Sequence, residues 1–319
     1  MTKKNSKYIK MRSLFCMLTL LMLAFVMTAC SNSKETVKDD DGKIKVTTTI
    51  GMITDAVKQV GGEHVNVNGL MKSGVDPHLY KASQGDIKKL EQADIIFYNG
   101  LHLEGKMVEV FERMAKNKST IAVSDDIDRS SLRSGDEMET EYDPHIWFDV
   151  KHWMKATETI RDSLIEYDPD HKEDYEENAK NYLNQLEELD KEVAEKIASI
   201  PEKGRVLVTA HDAFGYFGDA YGIKVMGLQG ISTASEAGTK DLVDLRDFLV
   251  KNKIKAVFIE SSVPRRSIDA VIQGAKEKGH NLEIGGELFS DAMGEEGTSE
   301  GTYVGMVRHN VNIIVQALK

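Results

Sequence analysis

The stretch DPDHKEDYEENAKNYLNQLEELDKEVAEKIASIP, residues 168–201, runs for about 30 residues between its two prolines without a glycine. Such a run predicts one long helix. Asp168 is placed to cap it, Pro169 fits a first turn whose N–H has no intrahelical partner, and Pro201 stops it. Tyr175, Ala179, Tyr182, Leu186, Leu189, Val193, Ile197 and Ile200 recur at steps of three and four and form one apolar stripe, while Glu, Lys, Asp and Asn fill the other face. At about 1.5 Å per residue the helix would be roughly 45 Å long, enough to cross a whole domain. A dimerising coiled coil would use the same spacing, but a stripe that mixes Tyr with Ala over only about four heptads favours a spine packed between two flanking units.

Both flanks alternate strand and helix. Ahead of the spine, 43–50, 65–71, 94–98 and 120–123 read as strands, and 52–60, 84–93, 106–117 and 147–167 as helices. Behind it, strands are expected over 205–209, 224–228, 255–259 and 282–284, and helices over 213–221, 241–252, 266–278 and 303–318. Interleaving of this kind implies mostly parallel sheets. The fold class is therefore α/β: two doubly wound sheet lobes, 43–167 and 201–319, joined by one long rigid helix, 168–200, with a cleft between the lobes.

The N-terminus is of another kind. Lys3, Lys4, Lys7, Lys10 and Arg12 precede an apolar run over 14–27 that is short for a membrane span, and Met27-Thr28-Ala29-Cys30 closes it. Residues 1–29 read as a secretory signal peptide. The small residues before Cys30 resemble the lipobox of bacterial lipoproteins, with Met27 where Leu is usual, and imply that Cys30 becomes the acylated first residue of the mature chain. Residues 30–42, containing Asp39-Asp40-Asp41 and few apolar side chains, read as the tether of that anchor. The body is then expected on the extracytoplasmic face of the cell membrane. Of the two cysteines, Cys16 lies in the apolar run, so the body has neither a disulfide nor a thiolate ligand. Loss of five cations with residues 1–29 takes the net charge from −11 to −16, which excludes nucleic acid as an expected partner.

The chemistry is concentrated in a pentapeptide that occurs twice, Asp76-Pro77-His78-Leu79-Tyr80 and Asp143-Pro144-His145-Ile146-Trp147. Each follows a strand or its loop, where Pro stiffens the backbone and the histidine can be aimed. In open α/β sheets ligands bind beyond the carboxyl ends of the strands. The second lobe offers His211, directly off the strand 205–209, and Asp291, in Ser290-Asp291-Ala292-Met293-Gly294. Two histidines from one lobe with a histidine and a carboxylate from the other would make a four-ligand N/O site for a divalent transition ion. Taken alone, His211 serves equally as a ligand or a helix-start residue, Asp291 suits a cap, and Glu260 competes as the carboxylate. Asp76 and Asp143 are expected to orient the histidines rather than to bind. His64, His102, His152, His171, His280 and His309 are expected to be ordinary surface or core residues.

With "VDPHLYKASQGD", "DPHIWFDV", "VLVTAHDAFGYFG", "AVFIESSV" and "SDAMG" joined to the lipobox and the long helix, the chain resembles the manganese/zinc-binding lipoproteins that serve bacterial ABC importers. The resemblance covers nearly everything after the signal. It implies two lobes and a rigid helix around one ion, held by His78, His145, His211 and Asp291 at the family's four ligand positions. It further implies a monomer with no catalytic activity and an ABC permease as partner. The cargo it implies is Mn2+, with Zn2+ also able to bind. The loop 128–142 carries no histidine, unlike the His-rich loop of zinc-devoted members, whereas His211 stands where manganese-devoted members often have Glu. A zinc-dedicated importer component is the nearest alternative. A zinc hydrolase is the more distant one, disfavoured by the fourth protein ligand and by the lack of an HExxH or GxSxG motif.

Overall fold

A computed structural model of the chain describes residues 42–135 and 141–319. The signal peptide, Cys30 and the tether up to residue 41 lie outside the described residues. Strand β1, Ile44–Thr48, is central in a parallel sheet of order β2-β1-β3-β4, with β2 at Val65–Gly69, β3 at Ile95–Tyr98 and β4 at Ser119–Ala122. Its Ile, Val and Thr side chains suit a strand covered on both faces, and four of its five residues are buried. The chain leaves β1 toward β2 on one side and returns to β3 on the other. The switch point where ligands bind in such sheets thus falls between the carboxyl ends of β1 and β3.

Helices α1 (Gly51–Gly61), α2 (Gln84–Gln92), α3 (Val108–Ala115) and α4 (Val150–Tyr167) accompany this sheet. In the second lobe β5 (Val206–His211) pairs in parallel with β6 (Lys224–Gln229), and β7 (Ala256–Glu260) with β8 (Glu283–Leu288). The expected second sheet is thus two parallel ladders, with β5 lying beside β7. Helices α6 (Gly215–Tyr221), α7 (Thr239–Asn252), α8 (Arg266–Glu277) and α9 (Tyr303–Leu318) complete the lobe, which has a core of its own built on Val208, Leu245, Leu249, Val257, Ile268 and Val271. No helix among the described residues is long and apolar enough to cross a membrane.

Between the lobes runs α5, Lys172–Ala198, 27 residues and about 40 Å long at 1.5 Å per residue. Every residue of the predicted stripe, from Tyr175 to Ile200, is buried. The helix packs on α1 and α4 of the first lobe and on α9 of the second. Its polar face adds cross-links: the Tyr221 hydroxyl donates to Asp190 at 2.9 Å and Arg308 Nε to Glu192 at 2.8 Å. The start of the helix departs from the expectation. Pro169–His171 forms a 3-10 turn, and the Asp168 carboxylate caps no backbone N–H. It accepts instead from the Tyr175 hydroxyl and pairs with His171 Nδ1, both at 2.7 Å, because the Asp-Pro step tightens the first turn and turns the side chain toward its own helix.

The loop that carries His78 is secured locally. Ser83 Oγ accepts from Asp86 N while Asp86 Oδ2 accepts from Ser83 N at 3.0 Å, a reciprocal cap, and the Tyr80 hydroxyl donates to the same carboxylate at 2.8 Å. Ser83→Ala is expected to cost about 1 kcal/mol of unfolding free energy. Urea denaturation checks this, read at constant m-value.

Candidate metal centre

Each predicted donor arrives from the carboxyl end of a strand: His78 after β2, His145 after β4, His211 as the last residue of β5 and Asp291 just past β8. The repeated pentapeptide has a local cause. In each copy the Asp side chain accepts from the backbone N–H of the histidine two residues on, Asp76 Oδ1 from His78 at 2.9 Å and Asp143 Oδ1 from His145 at 3.0 Å. This is an Asx turn whose middle residue Pro fixes in φ. The two copies diverge beyond the turn. Asp143 Oδ1 also pairs with His145 Nδ1 at 2.7 Å, whereas Asp76 Oδ2 accepts from Thr233 Oγ1 of the other lobe at 2.6 Å. Asp76 therefore orients the backbone of His78 and not its ring.

The structure brings the four donors together. His78, His145, His211 and Asp291 each offer one atom, all within 4.8 Å of one another, and none of the four residues is more than 4% exposed. His78 Nε2 lies 3.3 Å from His145 Nε2 and 3.5 Å from Asp291 Oδ2. Asp291 Oδ1 lies 3.4 Å from His145 Nε2, and Oδ2 lies 3.2 Å from His211 Nε2. A tetrahedral ion with bonds of about 2.1 Å separates its ligands by about 3.4 Å, so the spacing is that of donors around a common centre. Orphaned polar atoms agree: among the described residues, His211 Nε2 and both Asp291 oxygens are buried without a hydrogen-bond partner. Such atoms are costly to leave unmade unless something else satisfies them.

Glu260, read from sequence as a rival carboxylate, is committed elsewhere. It accepts from His211 N at 2.9 Å and pairs with His211 Nδ1 at 2.5 Å, so β7 supports the histidine at the end of β5. Asp143 does the same for His145. These two carboxylates fix the tautomers, placing a proton on each Nδ1 and turning each Nε2 toward the centre. A further support lay beyond the sequence reading. Arg133, in the polar loop, lies 3.5 Å from Asp143 Oδ2 and forms an ion pair with Asp219 of α6. The Tyr216 hydroxyl, also on α6, donates to Asp143 O at 2.9 Å. Trp147 Nε1 donates to Ser290 O at 3.0 Å, and the Tyr303 hydroxyl donates to Trp147 O at 2.7 Å. All of these contacts except Arg133 to Asp143 cross between the lobes beside a donor.

Electrostatics sort the three imidazoles. Burial pushes His78 down to about 3, overcoming the attraction of Asp291, with repulsion from His145, His211 and the nearby His102 adding to it. Burial also opposes charge on His145, but Asp143 and then Asp291 outweigh it and hold that ring up to about 9. His211 is likewise raised against its burial by Glu260 and Asp291. Asp291 is driven well below the usual carboxylate range, its burial outweighed by His211 and His145. The surroundings of the carboxylate thus favour protonation of His145 and His211 and oppose it on His78.

The remaining histidines stay outside the cluster. His64 and His171 stack at 3.9 Å and pair with Asp174 and Asp168, His152 meets Ser131 Oγ, and His280 and His309 meet the carbonyls of Ile254 and Glu287. His102 is exposed beside the cavity that opens onto His78.

Comparison with known proteins agrees with this geometry. Residues 46–317 match the family described as zinc-uptake complex component A, periplasmic. The manganese-binding lipoprotein MntA of Bacillus subtilis (strain 168) is 51% identical over 303 residues, 95% of this chain and 98% of its own. The zinc-binding protein TroA of Treponema pallidum (strain Nichols) is 49% identical over 310 residues, 97% and 99% of the two chains. The solved periplasmic zinc-binding protein TroA superposes with a TM-score of 0.85 over 87% of this chain and 99% of that one, at 51% identity. A manganese-bound periplasmic metal-binding protein from Candidatus Liberibacter asiaticus gives 0.76 over 87% and 100%, at 25% identity.

Proposed function

The chain belongs to the periplasmic zinc-uptake component A family of solute-binding transport proteins, and from that premise we propose that it captures one divalent transition ion outside the cytoplasm and delivers it to an ABC permease. The ligands in this reading are His78, His145, His211 and Asp291, and the ion is cargo on which no chemistry is done. The donor set with its spacing of 3.2–3.5 Å between neighbouring atoms carries the proposal. Cys30 anchors the mature, monomeric protein through its acyl chains after residues 1–29 are removed, with 30–42 as tether. The first lobe is 43–167, the linking helix 168–200 and the second lobe 201–319. More than one acyl chain matters, since a single one holds a protein only marginally at a membrane.

Manganese is the proposed cargo, with zinc able to bind. Among the described residues neither Asp291 oxygen has a hydrogen-bond partner, which leaves a fifth contact for an ion that favours oxygen and higher coordination. The closely similar manganese-binding relative supports the same choice. A zinc-dedicated role is the second reading, favoured by three imidazoles at near-tetrahedral spacing, and Zn2+ is expected to bind more tightly at equilibrium whichever ion is delivered.

The test is calorimetry of the mature protein with Mn2+ and Zn2+ in buffers of different ionisation enthalpy. One ion should bind per chain, and at pH 7 each ion should displace between about one and two protons, those held by His145 and His211. The sign follows from the raised values: protonated His145 stabilises the metal-free protein fully below about 6.5, and that contribution is lost as pH rises through about 9. Metal affinity, which competes with that proton in the folded protein, should therefore climb as pH rises toward about 9 and level off above it. A buffer-independent enthalpy would contradict the charged rings, and no binding of either ion would sink the proposal.

A further inference from the structure

Resting on the metal-binding reading, we propose that His102 is a transit ligand: it takes the first coordination position of an incoming hydrated ion at the mouth of the cleft and passes the ion to His78.

The loop that presents His102 is a built feature. It follows β3 and stands at the switch point of the first sheet. Gly100, Leu101 and His102 have φ of 86°, 51° and 67°, three successive residues in the left-handed region, two of them not glycine. Strain of that kind persists only where the surroundings over-determine it. Here a buried carboxylate does so: Glu104 accepts from Thr49 Oγ1 at 2.6 Å and from Asn99 N at 2.8 Å, joining the ends of β1 and β3. Asn99 Nδ2 donates to Pro144 O at 2.9 Å, tying the loop to the turn that aims His145. Gly105 leaves room for the imidazole, since a Cβ there would lie 2.8 Å from His102 Nε2. Backbone, carboxylate and glycine thus hold the loop that presents this exposed ring.

What the ring faces gives the task. A cavity of about 250 Å³ lies between this loop and the Ser232–Ala234 segment of the other lobe, with His78 on its wall. An ion with about six waters at about 30 Å³ each needs roughly 180 Å³, so a hydrated ion fits. It does not fit beyond, where the donors stand 3.2–3.5 Å apart. Waters must therefore leave between the two places. At the mouth a ring nitrogen of His102 replaces one water. His78 stands on the wall of the same cavity, so its ring replaces the next. Lys106 also lines the cavity and repels cations, so capture there depends on a coordinating atom and not on long-range attraction.

The test is stopped-flow uptake and chelator withdrawal of Zn2+ with the mature protein, its His102→Ala variant and Gly105→Ala. A transit ligand lowers the barrier in both directions. His102→Ala should slow association and dissociation by about tenfold each, with affinity unchanged within about twofold. Gly105→Ala should reproduce the slowing with the imidazole still present, because the new methyl displaces it. Unchanged rates in both variants would overturn the proposal, and so would a loss of affinity at unchanged association rate, which would make His102 a permanent ligand. Failure of the unmodified protein to take up Zn2+ would instead sink the metal-binding reading itself.

Discussion

Asp291→Ala is expected to lower metal affinity by about a hundredfold to several thousandfold and to abolish most of the thermal stabilisation given by Mn2+ or Zn2+. Asp291 is the one carboxylate among the four donors, it is buried, and it faces three ring nitrogens. A divalent charge in that place loses its only anionic partner, and removing one member of a buried charged set costs about 3–5 kcal/mol, two to four orders of magnitude in a binding constant. The metal-free protein changes as well. His145 and His211 owe part of their raised proton affinity to Asp291, so both should titrate lower in the variant, and the proton release on any residual binding should shrink. Asp291→Asn keeps the shape and one ligating oxygen without the charge, and should fall between. Differential scanning fluorimetry with and without each ion reads the result. A melting shift equal to that of the unmodified protein would remove Asp291 from the ligand set.

The second large effect is expected one residue behind the ligands. Glu260→Ala should reduce affinity by about a hundredfold, although Glu260 offers no atom to the ion. Its two oxygens take both the backbone N–H and the Nδ1–H of His211. Without them a buried donor pair is left unmade and the ring is free to turn. Glu260→Gln should do no better. An amide can accept only one of the two bonds, and its NH2 turned toward Nδ1 would force the proton onto Nε2, the atom that must meet the ion. Nitrogen-15 shifts of the His211 ring identify the tautomer directly. A Gln variant that binds normally with Nδ1 protonated would show that Glu260 is not needed to orient the ligand.

These two residues mark where the sequence is legible and where it is not. Asp291 taken alone suits a cap and is singled out by the family resemblance, whereas the doubled Asp-Pro-His turn is a local structure that its own residues close, so three-dimensional context adds little to finding that turn. The long helix is legible for the same reason: its stripe from Tyr175 to Ile200 is periodic, and all of it is buried. Glu260 is different. It precedes Ser261-Ser262 at the end of a hydrophobic strand, a setting equally suited to a ligand, a support or a turn. Only the side-by-side placement of β5 and β7 brings it to a histidine 49 residues away. Arg133 gives no signal at all, since a loop arginine reads as solvated until α6 supplies Asp219 and Tyr216. At the start of the long helix the usual cap rule failed because Asp168 found side-chain partners in His171 and Tyr175.

The donor set has a consequence for chemistry outside the site. Imidazole nitrogen and carboxylate oxygen resist peroxide, whereas a thiolate ligand in the same position would pass to sulfenic acid or a disulfide and drop its ion. Both cysteines of the chain precede residue 42, so none of the described residues is a cysteine. Ion capture at this site should persist under oxidative attack, and a soft monovalent ion such as Cu+ finds none of the ligands it prefers.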